Sequence, residues 1–170
     1  DPDVAGSALK DGRRVVYVGR SRNALAGRFV PIYWSSTFFP VESGCPMLGT
    51  WFAEDHPALG RFPTEDWMDG QWRSLSESAL VHELTGEAAG LDAIAMPVPD
   101  FHVSRYFATM FEARIGPGRL FVCGYPIESP ATPESCQLRK SVLDYVGSSA
   151  FVPKGVVSIA WFESFAVGKC

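Results

Sequence analysis

The residues best suited to chemistry lie in one stretch, from Leu48 to Leu75. This stretch contains three of the five tryptophans, one of the three histidines and five carboxylates, and it is too irregular to be a single helix or strand. Two carboxylates held about 5 to 10 Å apart can act as acid and base in glycoside hydrolysis. An exposed tryptophan can stack on a sugar ring through its apolar face. The candidates for contact with a ligand or an interface are His56, Glu65, Asp66, Trp67, Asp69, Gln71 and Trp72.

Three interpretations of this stretch remain open at the level of sequence. Glu65 and Asp69 could form a catalytic pair, or Trp67 and Trp72 could contact sugar. The third interpretation is structural, because an acidic loop is usually a solvated loop. The residue types alone do not indicate a particular reaction. We therefore assign no catalytic residue in this stretch.

The rest of the chain offers no pattern typical of a catalytic nucleophile, a metal site or a nucleotide site. The three histidines are scattered, and no G-x-S-x-G motif is present. Cys123 lies inside an apolar run and is followed by Gly124-Tyr125-Pro126, which does not allow a strand-to-helix elbow. The four cysteines include no CxxC pair and none has a histidine at zinc-site spacing. The loop after Gly19 lacks GxGxxG. We therefore expect no metal and no cofactor.

Composition indicates one ordinary globular domain. The chain has 170 residues, of which 46% are hydrophobic and 20% charged. A net charge of −4 disfavours nucleic acid and anionic membranes as partners, and no apolar run approaches the roughly 20 residues needed to cross a bilayer. The chain starts at Asp1, so we expect a piece of a longer polypeptide. We assign residues 10–170 to a single α/β domain and residues 1–9 to a linker or boundary. Residues 1–12 could also contain the end of a helix, because Gly is favoured just past a helix C-terminus and Gly12 is in that position. If the protein is exported, the cysteines other than Cys123 could form one disulfide.

Several short apolar runs predict the strands of a sheet. Residues 13–19 form an apolar run without alternation, which is typical of a strand buried on both faces in a mainly parallel sheet. Residues 28–34 predict a strand at an edge or with a bulge, because Pro31 lies within them. Residues 37–49 are expected to be loop. Residues 80–84 and 91–96 predict two further short strands.

The last third of the chain contains the clearest local signals. Residues 105–115 and 119–124 flank Gly116-Pro117-Gly118 and predict an antiparallel hairpin, in which Glu112 is expected to pair with Arg114 or Arg139. A helix is predicted from Pro133 to Val146, with Thr132 as its N-cap and an apolar face that covers the sheet. A final strand is predicted at 156–159. Strands and helices together indicate an α/β fold with at least one antiparallel pair.

The order of several motifs resembles a known family. The motifs are HPAL, FPTE and QW within 56–72, FHVSRYFATMFEARIGPGRLFVCG at 101–124, and QLRKSVLDY at 137–145. This array is similar to the C-terminal region of large multidomain bacterial glycoside hydrolases of the family 2 type, which are β-galactosidase-like enzymes. The resemblance covers roughly residues 10 to 150. The spaced combination is specific, whereas each motif alone is weak.

The resemblance implies both a fold and a function. It implies a flavodoxin-like or class I glutamine amidotransferase-like fold, with a mixed sheet flanked by helices, appended after the catalytic barrel and without the catalytic acids. We therefore expect a non-catalytic accessory domain in carbohydrate metabolism, in a periplasmic or secreted enzyme. Its partners would be other domains of the same polypeptide, in preference to oligosaccharide. The alternatives are a free-standing hydrolase or amidotransferase-like enzyme using Cys123 or the acidic loop, and a carbohydrate-binding module.

Overall fold

The fold is mixed α/β, and its described residues form one eight-stranded sheet with helices on both faces. The computed structural model describes residues 1–29, 45–99 and 105–166, apart from the side chains of Phe29 and Cys45. The α-helices are α1 (Pro2–Lys10), α2 (Arg73–Ser76), α3 (Pro133–Gly147) and α4 (Ile159–Ala166). The strands are β1 (Arg14–Tyr17), β2 (Leu25–Phe29), β3 (Cys45–Phe52), β4 (Leu80–Glu83), β5 (Ala93–Pro99), β6 (Phe107–Ala108), β7 (Met110–Ile115) and β8 (Gly118–Cys123).

The sheet is mainly antiparallel. Its strand order is β1-β8-β7-β5-β3-β2-β4-β6. Within the described ranges, β1 with β8 and β2 with β3 are parallel, and the other five strand pairs are antiparallel. The prediction of a mainly parallel sheet is therefore wrong. The run at β1 is apolar on both sides because helices cover both faces of the sheet, which an antiparallel sheet also allows.

Strand β6 is at one end of the strand order, yet it lies next to β7, which is in the middle of the sheet. β6 pairs with β4, and only Thr109 separates β6 from β7. The backbone N–H of Thr109 donates to Ala95 O at 2.8 Å, and its carbonyl accepts from Gly124 N at 2.7 Å. The strands from β7 through β5, β3, β2 and β4 to β6 thus form a closed path. A small apolar cluster of Met47, Val81 and Phe107 lies among them.

The two faces of the sheet carry separate apolar cores. On one face α3 packs through Leu138 and Val142 onto a cluster that includes Phe121 and Trp72. On the other face α1 and α4 contribute Leu9 and Phe162 to a second cluster. This arrangement places the sheet between two helical layers.

The predictions made from local signals in the last third of the chain are confirmed for the helix and the hairpin. Helix α3 begins at Pro133, and its N-cap Thr132 accepts from Ser135 N at 3.2 Å while Ser135 Oγ accepts from Thr132 N at 3.0 Å. This reciprocal capping box satisfies two backbone donors. Strands β7 and β8 pair in register across a turn in which Gly116 has φ 54°.

The predicted strands at 80–84 and 91–96 are confirmed as β4 and β5. Strand β2 ends at Phe29, so residues 30–34 of the strand predicted at 28–34 lie outside the described residues. Residues 45–49 were expected to be loop, but they form the first part of β3, where Cys45 to Met47 pair with β2. Residues 37–44 of that loop also lie outside the description.

Each end of the described chain has a helix. The helix expected before Gly12 is present as α1, and its Leu9 is fully buried in the core, so residues 1–9 are more than a linker or boundary. The predicted final strand is reduced to one bridge between Val156 and Arg114. Helix α4 follows at once, because Ser158 Oγ accepts from Trp161 N at 3.0 Å and caps its first turn.

Candidate functional site

Trp67 forms an exposed aromatic platform on the sheet. It lies in a short segment beside β3, where Phe52 N donates to Asp66 O at 2.7 Å and Met68 N donates to Thr50 O at 3.0 Å. The ring rests on Gly49, since a Cβ at that position would overlap its six-membered part. Trp67 nevertheless keeps 45% of its surface exposed. One side of the indole therefore lies on backbone and the other remains open.

An open groove of about 1020 Å³ runs beside this platform. It lies at one edge of β3, between β2 and the segment that contains Trp67, which pair with successive parts of that strand. β2 pairs with β3 up to Met47, and the segment of Trp67 pairs with β3 from Thr50 onward. The gap between them exposes Leu48. We name this the Trp67 groove, and its lining is Ala26, Gly27, Arg28, Leu48, Trp67, Met68, Asp69, Gly70, Arg73 and Glu77.

The polar groups of the Trp67 groove have mixed charge. Asp69 Oδ1 accepts from Gln71 N at 3.0 Å and caps a 3-10 turn, while Gln71 Nε2 donates to Pro63 O at 2.8 Å. Arg73 Nε lies 3.6 Å from Glu77 Oε1, one helical turn away. Arg28 contributes a second basic group to the lining. An aromatic surface with donors and acceptors at its rim is suited to a neutral, hydroxyl-rich ligand.

The structure separates the two tryptophans that the sequence proposed as contact residues. Trp72 is fully buried, stacks on Phe52 with ring centroids 4.0 Å apart, and donates its indole N–H to Thr64 Oγ1 at 2.8 Å. Its assignment as a contact residue is therefore corrected to a core role. Glu65 and Asp66 are exposed, but their side chains are not part of the groove lining.

His56 belongs to a different cluster, on the face covered by α3. Its Nδ1 accepts from Ala58 N at 3.2 Å, and its ring meets Tyr145 edge to face with centroids 5.1 Å apart. Tyr145 donates its hydroxyl to Glu112 Oε2 at 2.8 Å, and His56 Nε2 lies 3.9 Å from the same oxygen. Glu112 thus pairs with Tyr145 and not with the expected arginines. This pairing joins β7 to α3 across 33 residues, so no local signal indicates it.

Partial burial shifts the proton affinities of this cluster. Desolvation lowers the pKa of His56 and so favours its neutral form. Desolvation raises the pKa of Glu112, against the hydrogen bond from Tyr145 and the charge of Lys154, which lower it. Desolvation and the neighbouring Glu112 both raise the pKa of Tyr145. A carboxyl and an imidazole with opposed shifts are common at functional sites and also occur in structural networks.

The two nucleophilic side chains that have a neighbouring polar group of interest, Cys123 and Ser21, are buried. Cys123 is fully buried, as predicted, and burial raises its pKa to about 12. Ser21 Oγ lies 2.8 Å from His82 Nδ1, but His82 is fully buried and desolvation lowers its pKa to about 4. Neither group can meet a substrate in this conformation.

Comparison with known protein families places the chain in one family. A family profile matches residues 2–167, which include all four α-helices of the described ranges. The chain belongs to the DUF8487 family, a domain family of unknown function. A search of curated proteins finds no match. The extent of the family match makes α1 part of the DUF8487 domain.

The part of the DUF8487 domain that the structure describes has one exposed thiol and no cluster of possible metal ligands. There, no group of three or more His, Cys, Asp or Glu residues could hold a metal ion. Cys136 is a free, exposed thiol, and Cys123 is free and buried. Of the remaining cysteines, the Cys45 side chain and Cys170 lie outside the description. No helix in the described ranges has the length and apolarity needed to cross a membrane.

Proposed function

We propose that this DUF8487 domain is a non-catalytic accessory domain of a glycoside hydrolase and that its Trp67 groove contacts glycan. The supporting observation is the position of Trp67, whose ring rests on Gly49 and leaves an open face beside a polar rim. The parent class comes from the sequence resemblance to family 2 type enzymes. The groove supplies the contact surface for that role.

The chemistry of a sugar fits this surface. A pyranose ring presents axial C–H groups on one face, which pack on an indole, and hydroxyl groups at its edge. Asp69 is oriented by Gln71, whose backbone N–H donates to Oδ1 and whose Nε2 donates to Oδ2 at 3.5 Å, so Oδ2 can accept a hydroxyl through its remaining lone pair at small entropic cost. Arg28 and Arg73 can donate to hydroxyl oxygens. A groove this open leaves much of a ligand hydrated, so we expect weak binding.

The state of Cys123 and of the groove carboxylates supports a role without catalysis. Nucleophilic use of Cys123 would require a thiolate, which its burial disfavours. Asp69 acts as a cap and Glu77 lies beside Arg73, so the two carboxylates of the groove have structural partners. This favours binding over the alternative of a free-standing hydrolase or amidotransferase-like enzyme.

We also infer a finer fold assignment, a variant of the flavodoxin-like or class I glutamine amidotransferase-like arrangement. The mixed sheet between two helical layers supports it, as does the parallel pairing of β1 with β8. The high proportion of antiparallel pairs would be the departure of this family from those folds.

Docking onto another domain of the same polypeptide is the second candidate for the same surface. Trp51 is 38% exposed and is bridged to Trp67, so two indoles present apolar area side by side. Adjacent exposed aromatic residues are typical of protein contacts as well as sugar contacts.

Calorimetric titration of the 170-residue chain tests the glycan role. The probes are β-linked gluco-, galacto-, manno- and xylo-oligosaccharides. We expect a millimolar or tighter Kd for one of them, at least about tenfold weaker in Trp67→Ala and unchanged in Trp161→Ala, whose indole lies on α4. Absence of binding to every sugar would refute the glycan role. Loss of attachment to the rest of the enzyme in both Trp51→Ala and Trp67→Ala would then support docking.

A further inference from the structure

We propose that the core of the domain binds one internal water molecule among four buried hydroxyl groups. The groups belong to Thr50, Ser76, Thr109 and Tyr125, and each of these residues is 1% exposed. They come from four separate segments, namely β3, the end of α2, the residue between β6 and β7, and the segment that follows β8. We name them the hydroxyl cluster. This site is separate from the Trp67 groove and does not depend on the glycan proposal.

Tyr125 lies at the centre of the hydroxyl cluster. Its hydroxyl is close to the hydroxyls of the other three members. Its ring lies against Trp72, with ring centroids 5.2 Å apart, and belongs to the apolar core on the face covered by α3. Burial, and to a smaller extent Cys123, raise the pKa of Tyr125. The side chain is therefore a neutral phenol, which donates one hydrogen bond and can accept others.

Two members of the hydroxyl cluster have no direct partner. Among the described residues, no group is in hydrogen-bond geometry with Tyr125 Oη or Ser76 Oγ, and both atoms are buried. The neighbouring hydroxyls are near enough to interact with Tyr125 but are not placed for a direct bond to it. Polar groups that face one another without a direct bond are commonly bridged by water.

The backbone around the hydroxyl cluster already has partners. Thr50 O accepts from Met68 N at 3.0 Å. Thr109 N donates to Ala95 O at 2.8 Å, and Thr109 O accepts from Gly124 N at 2.7 Å. These bonds hold both threonines in the sheet, so their backbone cannot move toward Tyr125 without breaking strand pairing. A bridging molecule is the alternative that leaves the sheet unchanged.

The chemistry of the hydroxyl cluster fits water. An unpaired buried hydroxyl loses its hydrogen bonds to solvent without replacement, which lowers stability. A buried water typically makes about three hydrogen bonds to polar groups. It can donate two and accept two, and hydroxyl groups can take either role. An ion is a poorer occupant, because the four groups are neutral and would leave its charge uncompensated in the core.

The water would connect α2 to the sheet. Ser76 is the last residue of α2, whose Arg73 lines the Trp67 groove, whereas Thr50 lies on β3. Hydrogen bonds from one water to Ser76, Thr50 and Tyr125 therefore tie the helix to β3 and to the segment after β8. Because every member of the hydroxyl cluster is buried, exchange of this water with solvent requires local opening of the structure. The water is consequently long-lived.

Solvent ¹⁷O relaxation dispersion of the 170-residue chain tests the proposal. The method detects waters that remain in the protein longer than it tumbles, and exchange of hydroxyl protons does not contribute. We expect the dispersion amplitude to fall by the contribution of one water in the double variant Ser76→Ala/Tyr125→Phe. Tyr17→Phe is the matched control, because the buried hydroxyl of Tyr17 donates directly to Arg20 O at 2.9 Å. Its amplitude should equal that of wild type.

Urea denaturation gives a second readout, whose sign differs between a hydrated and an unpaired hydroxyl. If water completes the hydrogen bonds of Tyr125, the single variant Tyr125→Phe should lower the folding equilibrium constant about fivefold. If the hydroxyl is unpaired, the same variant removes an unsatisfied group, and the constant should stay the same or rise.

Either of two results would overturn the proposal. One is an unchanged ¹⁷O amplitude in the folded double variant, which would show that the hydroxyls bond to one another directly. The other is an unchanged or higher folding constant in Tyr125→Phe. If the double variant does not fold, a high-resolution crystal structure of the wild-type chain decides. We expect density for one water about 2.7 to 3.0 Å from Tyr125 Oη and Ser76 Oγ, and direct contact of these two oxygens or the absence of such density would refute the inference.

Discussion

A methyl group on Gly49 tests the placement of Trp67, on which the proposed glycan site depends. The Cβ of Gly49→Ala would overlap the indole, so the ring must move outward from β3. Gly49 has no positive φ, so the substitution adds this overlap without backbone strain. Gly90→Ala is the matched control, because a Cβ there meets open space and Gly90 lies outside the groove.

The size of the effect follows from the covered area of Trp67. With 45% of the residue exposed, somewhat more than half is in contact with protein. A tryptophan buries up to about 250 Å², so the covered part is about 140 Å². At about 25 cal/mol per Å², complete release of the ring costs about 3.5 kcal/mol. A partial outward shift keeps some contacts, so we expect a loss of about 1 to 3 kcal/mol in the free energy of unfolding.

Urea denaturation and glycan titration measure the two consequences. We expect Gly49→Ala to unfold at lower urea than Gly90→Ala, with an unchanged m-value, because the fold is retained. Its tryptophan emission should shift to longer wavelength as the indole becomes more hydrated. Affinity for the oligosaccharide should fall together with stability, because the platform is displaced.

The reasoning fails if Gly49→Ala and Gly90→Ala have the same urea midpoint and the same emission spectrum. Trp67 would then not rest on Gly49. If stability falls but glycan affinity does not, Trp67 does rest on Gly49, but the glycan binds at another surface.

Three further predictions concern the core and the buried titratable groups. Trp72→Ala should lose about 3 to 5 kcal/mol in urea denaturation, because the residue is fully buried. Burial raises the pKa of Glu112, so the unfolded chain ionises this group first and stability falls as pH rises above the ordinary value of 4.5. Glu112→Gln, whose amide oxygen still accepts from Tyr145, should therefore gain stability over wild type above that pH, about 1.4 kcal/mol per unit of raised pKa. Iodoacetamide should modify exposed Cys136 and spare Cys123 until the chain unfolds.

Each of these predictions has a control. For Trp72, the comparison is Trp67→Ala, which should cost less because that residue is half-exposed. For Glu112, urea midpoints are compared at pH 4 and pH 7 with those of exposed Glu54→Gln, and a gap independent of pH would contradict the raised pKa. For the thiols, a Cys45→Ser/Cys170→Ser background leaves two cysteines, and modification of both in the folded chain would show that Cys123 is accessible.

Short-range signals were sufficient to predict several elements of the fold. Helix α3 was predictable because Thr132, Pro133 and the apolar spacing after them act within a few residues. The hairpin of β7 and β8 was predictable because Gly116 and Gly118 define a turn between two apolar runs. Burial of Cys123 followed from its apolar neighbours in the chain. These features depend on residues close together in sequence, so composition and spacing contain the necessary information.

Tertiary structure decided which residues of the tryptophan-rich stretch face solvent. Trp67 and Trp72 are five residues apart and have the same side chain. Trp67 rests on Gly49 and is partly exposed, whereas Trp72 is buried in the core and stacks on Phe52. The contact of Glu112 with Tyr145 likewise joins β7 to α3. Such contacts arise only when distant segments pack together, and burial then sets exposure, pKa and access to ligand. The position of β1 at one end of the sheet could not be predicted for the same reason, because strand order depends on contacts between distant segments.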